Sequence, residues 1–190
     1  MKKVTIGPTT QVHPMPVFLV GVEVDGKPNF MALAWGGVAN GTPPMISVAV
    51  HLNRHTLKGI RQNSVFSVNI PSVGQAAEAD YCGLKSGSKE DKVAACQFEV
   101  FYGKLGKAPL IEQCPVNLEC QVEHILELGS HALVVGSIQE THVSEDCLVD
   151  GQPDIDKINP IVYVGAPARR YQAFGEVIAN AFSVGNSLEA

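Results

Sequence analysis

Residues 16–24, PVFLVGVEV, are rich in β-branched and aromatic side chains and run into Asp25-Gly26-Lys27-Pro28, where the glycine suits a positive φ. This predicts a strand, a turn and a second strand. The next apolar run, NFMALAWGGVAN (29–40), is broken by Gly36 and Gly37 and stopped by Pro43-Pro44. In MISVAVHL (45–52) strict alternation puts Ile46, Val48, Val50 and Leu52 on one face and Met45, Ser47, Ala49 and His51 on the other. The first face suits a core. The second, small and polar, suits either solvent or a wall against which a flat ligand lies.

Thr56 is placed to cap a short helix, LKGIRQN (57–63), its hydroxyl accepting from first-turn amides. The strand VFSVNI (65–70) follows. Residues 74–95 hold little β-branched content and two glycine breaks, which predicts a helix over 75–82, a loop over 83–91 (GLKSGSKED) and a brief helical turn. VNLECQVEH (116–124) alternates again, with Val116, Leu118, Cys120 and Val122 inside and Asn117, Glu119, Gln121 and Glu123 outside. It pairs with SHALVVGSIQETHV (130–143) across Leu128-Gly129 as a β-hairpin. Many strands at short spacing, few helices and frequent Gly/Pro turns predict a mainly β protein, a closed or nearly closed antiparallel barrel with a few short helices.

Composition narrows the function classes. With 190 residues the chain fits one domain (1–190) with a substantial core. A formal charge of -5 and no dense Lys/Arg run exclude nucleic acid as a natural partner. Five cysteines, Cys82, Cys96, Cys114, Cys120 and Cys147, form no C-x-x-C pair, which argues against a disulfide framework or a zinc cluster and for a reducing cytoplasm. No apolar run reaches the ~18 residues of a spanning helix, and MKKVTIGPTT meets Gly7 and Pro8 before any signal-like apolar region develops. A soluble protein is expected.

The stretch AVHLNRHT (49–56) carries the candidate chemistry. His51 and His55 are four apart, the spacing of a helical zinc grip, but His51 ends an alternating strand, the position of a metalloprotease glutamate is Leu52, and no third ligand follows. No metal site is expected. Asn53, Arg54 and Thr56 would instead form a strand-to-helix corner where a guanidinium, a hydroxyl and free amides converge. Such a corner suits a phosphate, and also arises without any ligand.

Four ordered segments carry a family resemblance: NFMALAW (29–35), AVHLNRHT with IRQNSVFSVNIP (49–71), DYCGLKSGSKEDK (80–92) and YQAFGEVIANAF (171–182). With them the chain resembles the flavin reductase-like family of FMN-binding split β-barrels, and within it the flavoredoxin branch. The resemblance implies that the first segment borders a flavin ring through Asn29, Met31, Ala32, Ala34 and Trp35. Relatives often carry hydroxyls where Ala32 and Ala34 stand, so contacts there would come from backbone N–H groups. Trp35 reads equally as a buried core residue. The second segment would hold the FMN phosphate at Asn53, Arg54 and Thr56, with Ala49 and His51 near the ring. The third would close over the cofactor through Cys82, Gly83, Ser86 and Lys92, Gly83 and Gly87 allowing close backbone approach. Ser88 stands where relatives often show Arg. No histidine marks Cys82 as a nucleophile, so it reads as a small residue lining the pocket.

The resemblance implies an FMN oxidoreductase in which the cofactor carries the redox chemistry and no side chain is required as a catalytic residue. Two enzymatic readings stand side by side, an NAD(P)H-dependent flavin reductase and a flavoredoxin-like carrier serving another redox protein. A non-catalytic flavin-binding sensor is the alternative. Family relatives are homodimers, and Phe174, Val177, Ile178 and Phe182 would serve that contact or an internal core.

Overall fold

The computed structural model describes residues 1–188. Seven strands form one sheet: β1 (Phe18–Val24), β2 (Lys27–Leu33), β3 (Gly36–Gly41), β4 (Pro44–His51), β5 (Val65–Ile70), β6 (Val116–Glu127) and β7 (His131–Val143). Their spatial order is β2-β1-β5-β6-β7-β4-β3, with each neighbouring pair antiparallel. The edge strands β2 and β3 are consecutive in the chain and joined only by Ala34 and Trp35, so the sheet curls until its edges approach. The Trp35 carbonyl accepts from the Ala49 N–H at 2.8 Å, which ties the link to β4. Among the described residues no ladder joins β2 to β3 or β4. The barrel is therefore split along that seam.

Alternation fills the interior. Phe18, Val20 and Val22 of β1, Val48 and Val50 of β4 and Phe66 and Val68 of β5 meet in one apolar cluster, as the face reading of residues 45–52 requires. Leu19 and Phe30 point the other way, into a second cluster with Ala79, Cys82, Phe98 and Ile111. β1 is thus buried on both faces, which is why it reads as a nearly continuous apolar run.

Several boundaries differ from those the sequence predicts. Gly26 takes positive φ in the β1–β2 turn, as expected, and Asp25 before it does so too. Gly36 and Gly37, however, do not break the apolar run; they begin β3, and the break falls at Ala34 and Trp35. A Cβ on Gly36 would lie 2.7 Å from the Ser47 carbonyl oxygen and 3.0 Å from the Phe18 ring, so the missing side chain permits close strand packing. Helix α1 (His55–Asn63) starts two residues early, with Arg54 rather than Thr56 at its N-cap. Helix α2 (Ala76–Leu84) follows a single 3-10 turn, and α3 (Lys92–Ala95) is the brief helical turn.

The outward assignment of Asn117 and Glu119 is overturned. Asn117 is 4% exposed and Glu119 is fully buried, because the segment between α3 and β6 covers that face. Glu119 accepts from the backbone N–H groups of Lys104 (3.0 Å) and Leu105 (2.7 Å) and pairs with His142 Nε2 at 2.9 Å. Alternation separates two faces but does not say that both are covered. The C-terminal arm corrects a second alternative: Phe174, Val177, Ile178 and Phe182 are all exposed, so they are not internal core.

Candidate functional site

The split places an open cavity of about 530 Å³ between the end of β2, the end of β4, the start of α1 and the loop joining α2 to α3. That volume falls within the ~300–1,000 Å³ common for small-molecule sites. Among the described residues Arg54, Lys85 and Lys92 reach its wall and no Asp or Glu does, although the chain as a whole carries a net charge of -5. A cavity of this kind favours an anionic occupant.

The corner at 51–56 is built by local hydrogen bonds. The Arg54 N–H donates to the His51 carbonyl at 2.9 Å, and the Asn53 N–H donates to His51 Nδ1 at 3.2 Å. Arg54 then caps α1 in an extended conformation (φ -76°, ψ 133°), with no side-chain cap and no acidic residue in the first turn. The Leu57 N–H donates to the Arg54 carbonyl at 3.1 Å, which leaves the His55 and Thr56 amides of α1 open, and the helix dipole adds partial positive charge. The Arg54 guanidinium is fixed from across the cavity, where Nη1 donates to the Gly83 carbonyl at 3.2 Å.

Lys92 is 4% exposed and donates to the carbonyl oxygens of Phe30 (2.8 Å) and Cys82 (2.9 Å). Among the described residues it has no carboxylate partner. Burial pushes its pKa below the ordinary lysine value, and the nearby Arg54 adds to the effect. An ammonium has three donors, so one remains for a ligand. Thr56 is 2% exposed, and its Oγ1 accepts from Asn29 Nδ2 at 2.9 Å rather than capping the helix. Asn29 Oδ1 is buried and unpaired. It faces Gly87, where any Cβ would collide with the amide, so the loop can approach Asn29 only with glycine there.

The other end of the cavity is flatter. Ala32, Ala34 and Ala49 leave low walls, while Trp35, His131 and His51 form a row of rings, with centroids 4.8 Å apart for Trp35–His131 and 5.0 Å for His51–His131. Trp35 is 42% exposed, which overturns its reading as core. Burial, then His51 and Arg54, holds His131 below the usual histidine pKa.

Most sequence-predicted residues meet here: Met31, Ala32, Ala34, Trp35, Ala49, His51, Asn53, Arg54, Thr56, Ser86 and Lys92 all line the cavity. Asn29 and Gly83 stand behind it, acting through Thr56 and Arg54 respectively. Cys82 does not line it, contrary to expectation. Its side chain turns into the second apolar cluster, and burial drives the thiol up to about 12. Its carbonyl oxygen, not its sulfur, serves the site by holding Lys92.

Sequence reasoning missed His131, Lys85, Leu33 and His55 as wall residues. His131 lies opposite His51 in the β7–β4 register, a pairing eighty residues apart in the chain that no local pattern reveals. His55 was visible as the second histidine of HLNRH and set aside with the metal reading. Among the described residues no group of three or more His, Cys, Asp or Glu could hold a metal ion.

A family profile described as "Flavin reductase like domain" matches residues 10–168. The crystal structure of flavoredoxin from Methanosarcina acetivorans superposes with a TM-score of 0.94 at 41% identity, covering 99% of this chain and 100% of that one. Flavoredoxin of Desulfovibrio vulgaris (Miyazaki F) does so with a TM-score of 0.90 at 37% identity, covering 97% and 100%. The FMN reductase (NADH) RutF of Escherichia coli O127:H6 is 26% identical over 117 residues, 62% of this chain and 68% of that protein.

Proposed function

The chain belongs to the flavin reductase-like family, and on that premise we propose that it binds FMN in the split of the barrel and works as a flavoredoxin-like redox protein, the whole chain acting as one flavin domain. The observation that carries this reading is the charge of the cavity: three cationic side chains, a helix start without a side-chain cap and, among the described residues, no acid, in a net-acidic chain. FMN's phosphate brings roughly -1.5 to -2 charges at neutral pH. The residues fit that group. Among the described residues Lys92 is a buried cation lacking an anionic partner, and the Asn29–Thr56 pair leaves a hydroxyl proton uncommitted.

In this reading Arg54, Thr56, Lys92 and the first amides of α1 hold the phosphate, with Asn53 and Ser86 at its edge. Ala32, Ala34 and Ala49 leave room for a planar ring. Trp35, His51 and His131 border it. Bound FMN supplies reversible acceptance of hydride or electrons. The protein positions the cofactor and excludes competing charge.

The electron donor divides two versions of the activity. High identity to two flavoredoxins supports a carrier that exchanges electrons with another redox protein. The weaker likeness to an NADH-dependent FMN reductase supports NAD(P)H as donor. Stopped-flow mixing of the FMN-loaded protein with NADH and with NADPH separates them: the carrier reading predicts no bleaching at catalytic rates with either, and fast bleaching by one assigns a reductase. Bleaching by neither a nucleotide nor a reduced ferredoxin- or flavodoxin-type protein leaves a non-catalytic flavin binder.

Two further parts of the proposal concern setting. The exposed apolar arm carrying Phe174, Val177, Ile178 and Phe182 supports a homodimer, which light scattering on a chain truncated after Gln172 tests directly. Five free cysteines support a reducing cytoplasmic setting. Among the described residues no helix is long and apolar enough to cross a membrane.

A further inference from the structure

We infer that Asn29 is a positioning residue that sets the polarity of the Thr56 hydroxyl, and through it the selection of phosphorylated over unphosphorylated flavin; this rests on the FMN reading above. Asn29 is 6% exposed and does not reach the cavity wall, whereas Thr56 does. The amide donates from Nδ2 to Thr56 Oγ1 at 2.9 Å. A hydroxyl that accepts from an amide keeps its own proton for another partner. No acceptor for that proton occurs among the described hydrogen bonds, and the cationic side chains on the cavity wall, Arg54, Lys85 and Lys92, are themselves only donors.

The amide orientation carries the inference. Asn29 Oδ1 lies buried and unpaired against Gly87, so this orientation leaves an acceptor without a partner while serving Thr56 with a donor. Turned the other way, the amide oxygen would accept the hydroxyl proton, and Thr56 Oγ1 would be left with only lone pairs to present to an incoming anion. As built, Thr56 joins Arg54, Lys92 and the helix amides as a donor, so the groups gathered at the corner are donors rather than acceptors. Riboflavin, which has a hydroxyl in that place, gains far less from such a set.

The test is a cycle of Asn29→Ala and Thr56→Val, singly and combined, with the affinities of FMN and riboflavin measured by quenching of flavin fluorescence. Thr56→Val should lower the FMN-to-riboflavin affinity ratio about tenfold, the scale of one hydrogen bond to a charged group. Asn29→Ala should lower the ratio severalfold when Thr56 is present and leave it unchanged beside Thr56→Val. Thr56→Ser, which keeps the hydroxyl, should preserve it. The isosteric Asn29→Asp, which can only accept, should lower the ratio more than Asn29→Ala does. A ratio that falls equally with and without Thr56, or a loss shared by both flavins, overturns the proposal. A wild-type protein that prefers FMN no more than riboflavin overturns instead the placement of the phosphate, so the two failures are distinguishable.

Discussion

The guanidinium of Arg54 donates to the carbonyl oxygen of Gly83 at 3.2 Å, so the residue that caps the start of α1 is held by the end of α2. That brace turns a long, otherwise exposed side chain into a fixed cation at the cavity wall. Arg54→Ala should weaken FMN at least tenfold, because removing a charge-assisted contact costs on the order of 1.5–3 kcal/mol. Riboflavin should change far less. Fluorescence titration of both flavins checks it, and unchanged FMN affinity places the phosphate elsewhere.

Lys92 gives a pH signature. Its pKa lies below the ordinary lysine value of 10.5, chiefly through burial. The charged form attracts a phosphate, so FMN affinity should fall as pH rises through that lowered pKa, before exposed lysines titrate. Lys92→Arg, which stays charged across this range, should remove the fall. Titrations from about pH 8 upward in wild type and variant decide the matter.

His131 titrates in the opposite sense for stability. Its folded pKa is held below 6.5, so on acidification the unfolded chain takes up the proton first. The resulting loss of stability starts as pH falls through the unfolded value and is complete below the folded one. His131→Asn should flatten the decline in melting temperature of the FMN-free protein over that window. An identical slope in the two proteins would show that His131 is not the group responsible.

Glu119 separates stability from binding. Its buried carboxylate holds the Lys104 and Leu105 N–H groups and His142, none of which lines the cavity. Glu119→Ala should destabilise the protein by on the order of 3 kcal/mol, since two backbone N–H groups and the half-buried His142 lose their acceptor together and a fully buried side chain is deleted. FMN affinity below the melting transition should stay unchanged. Thermal denaturation and a flavin titration on the same sample measure both.

The barrel was legible because period-two patterns over 45–52 and 116–124 separate strand faces directly, and short β-rich runs such as 65–70 supply the strands between. The corner at 51–56 was legible too as local structure, since a strand end, an Arg and a helix start adjoin in eight residues. What the sequence hid depends on tertiary contact. Glu119 looks like a solvent-facing residue until the segment before β6 covers it. Cys82 sits in a helix whose weak periodicity does not reveal its rotation, and it faces the core. His131 enters the site only through long-range register with β4. Trp35, the residue most easily read as core, lies in the link that splits the barrel and stays half exposed.

A crystal structure of the protein grown with excess FMN tests the central claim most directly. The account predicts the phosphate at the start of α1, within hydrogen-bond reach of Arg54, Thr56 and Lys92, and the ring beside Ala32, Ala49 and His131. An empty corner, or a flavin whose phosphate lies away from all three side chains, would contradict it.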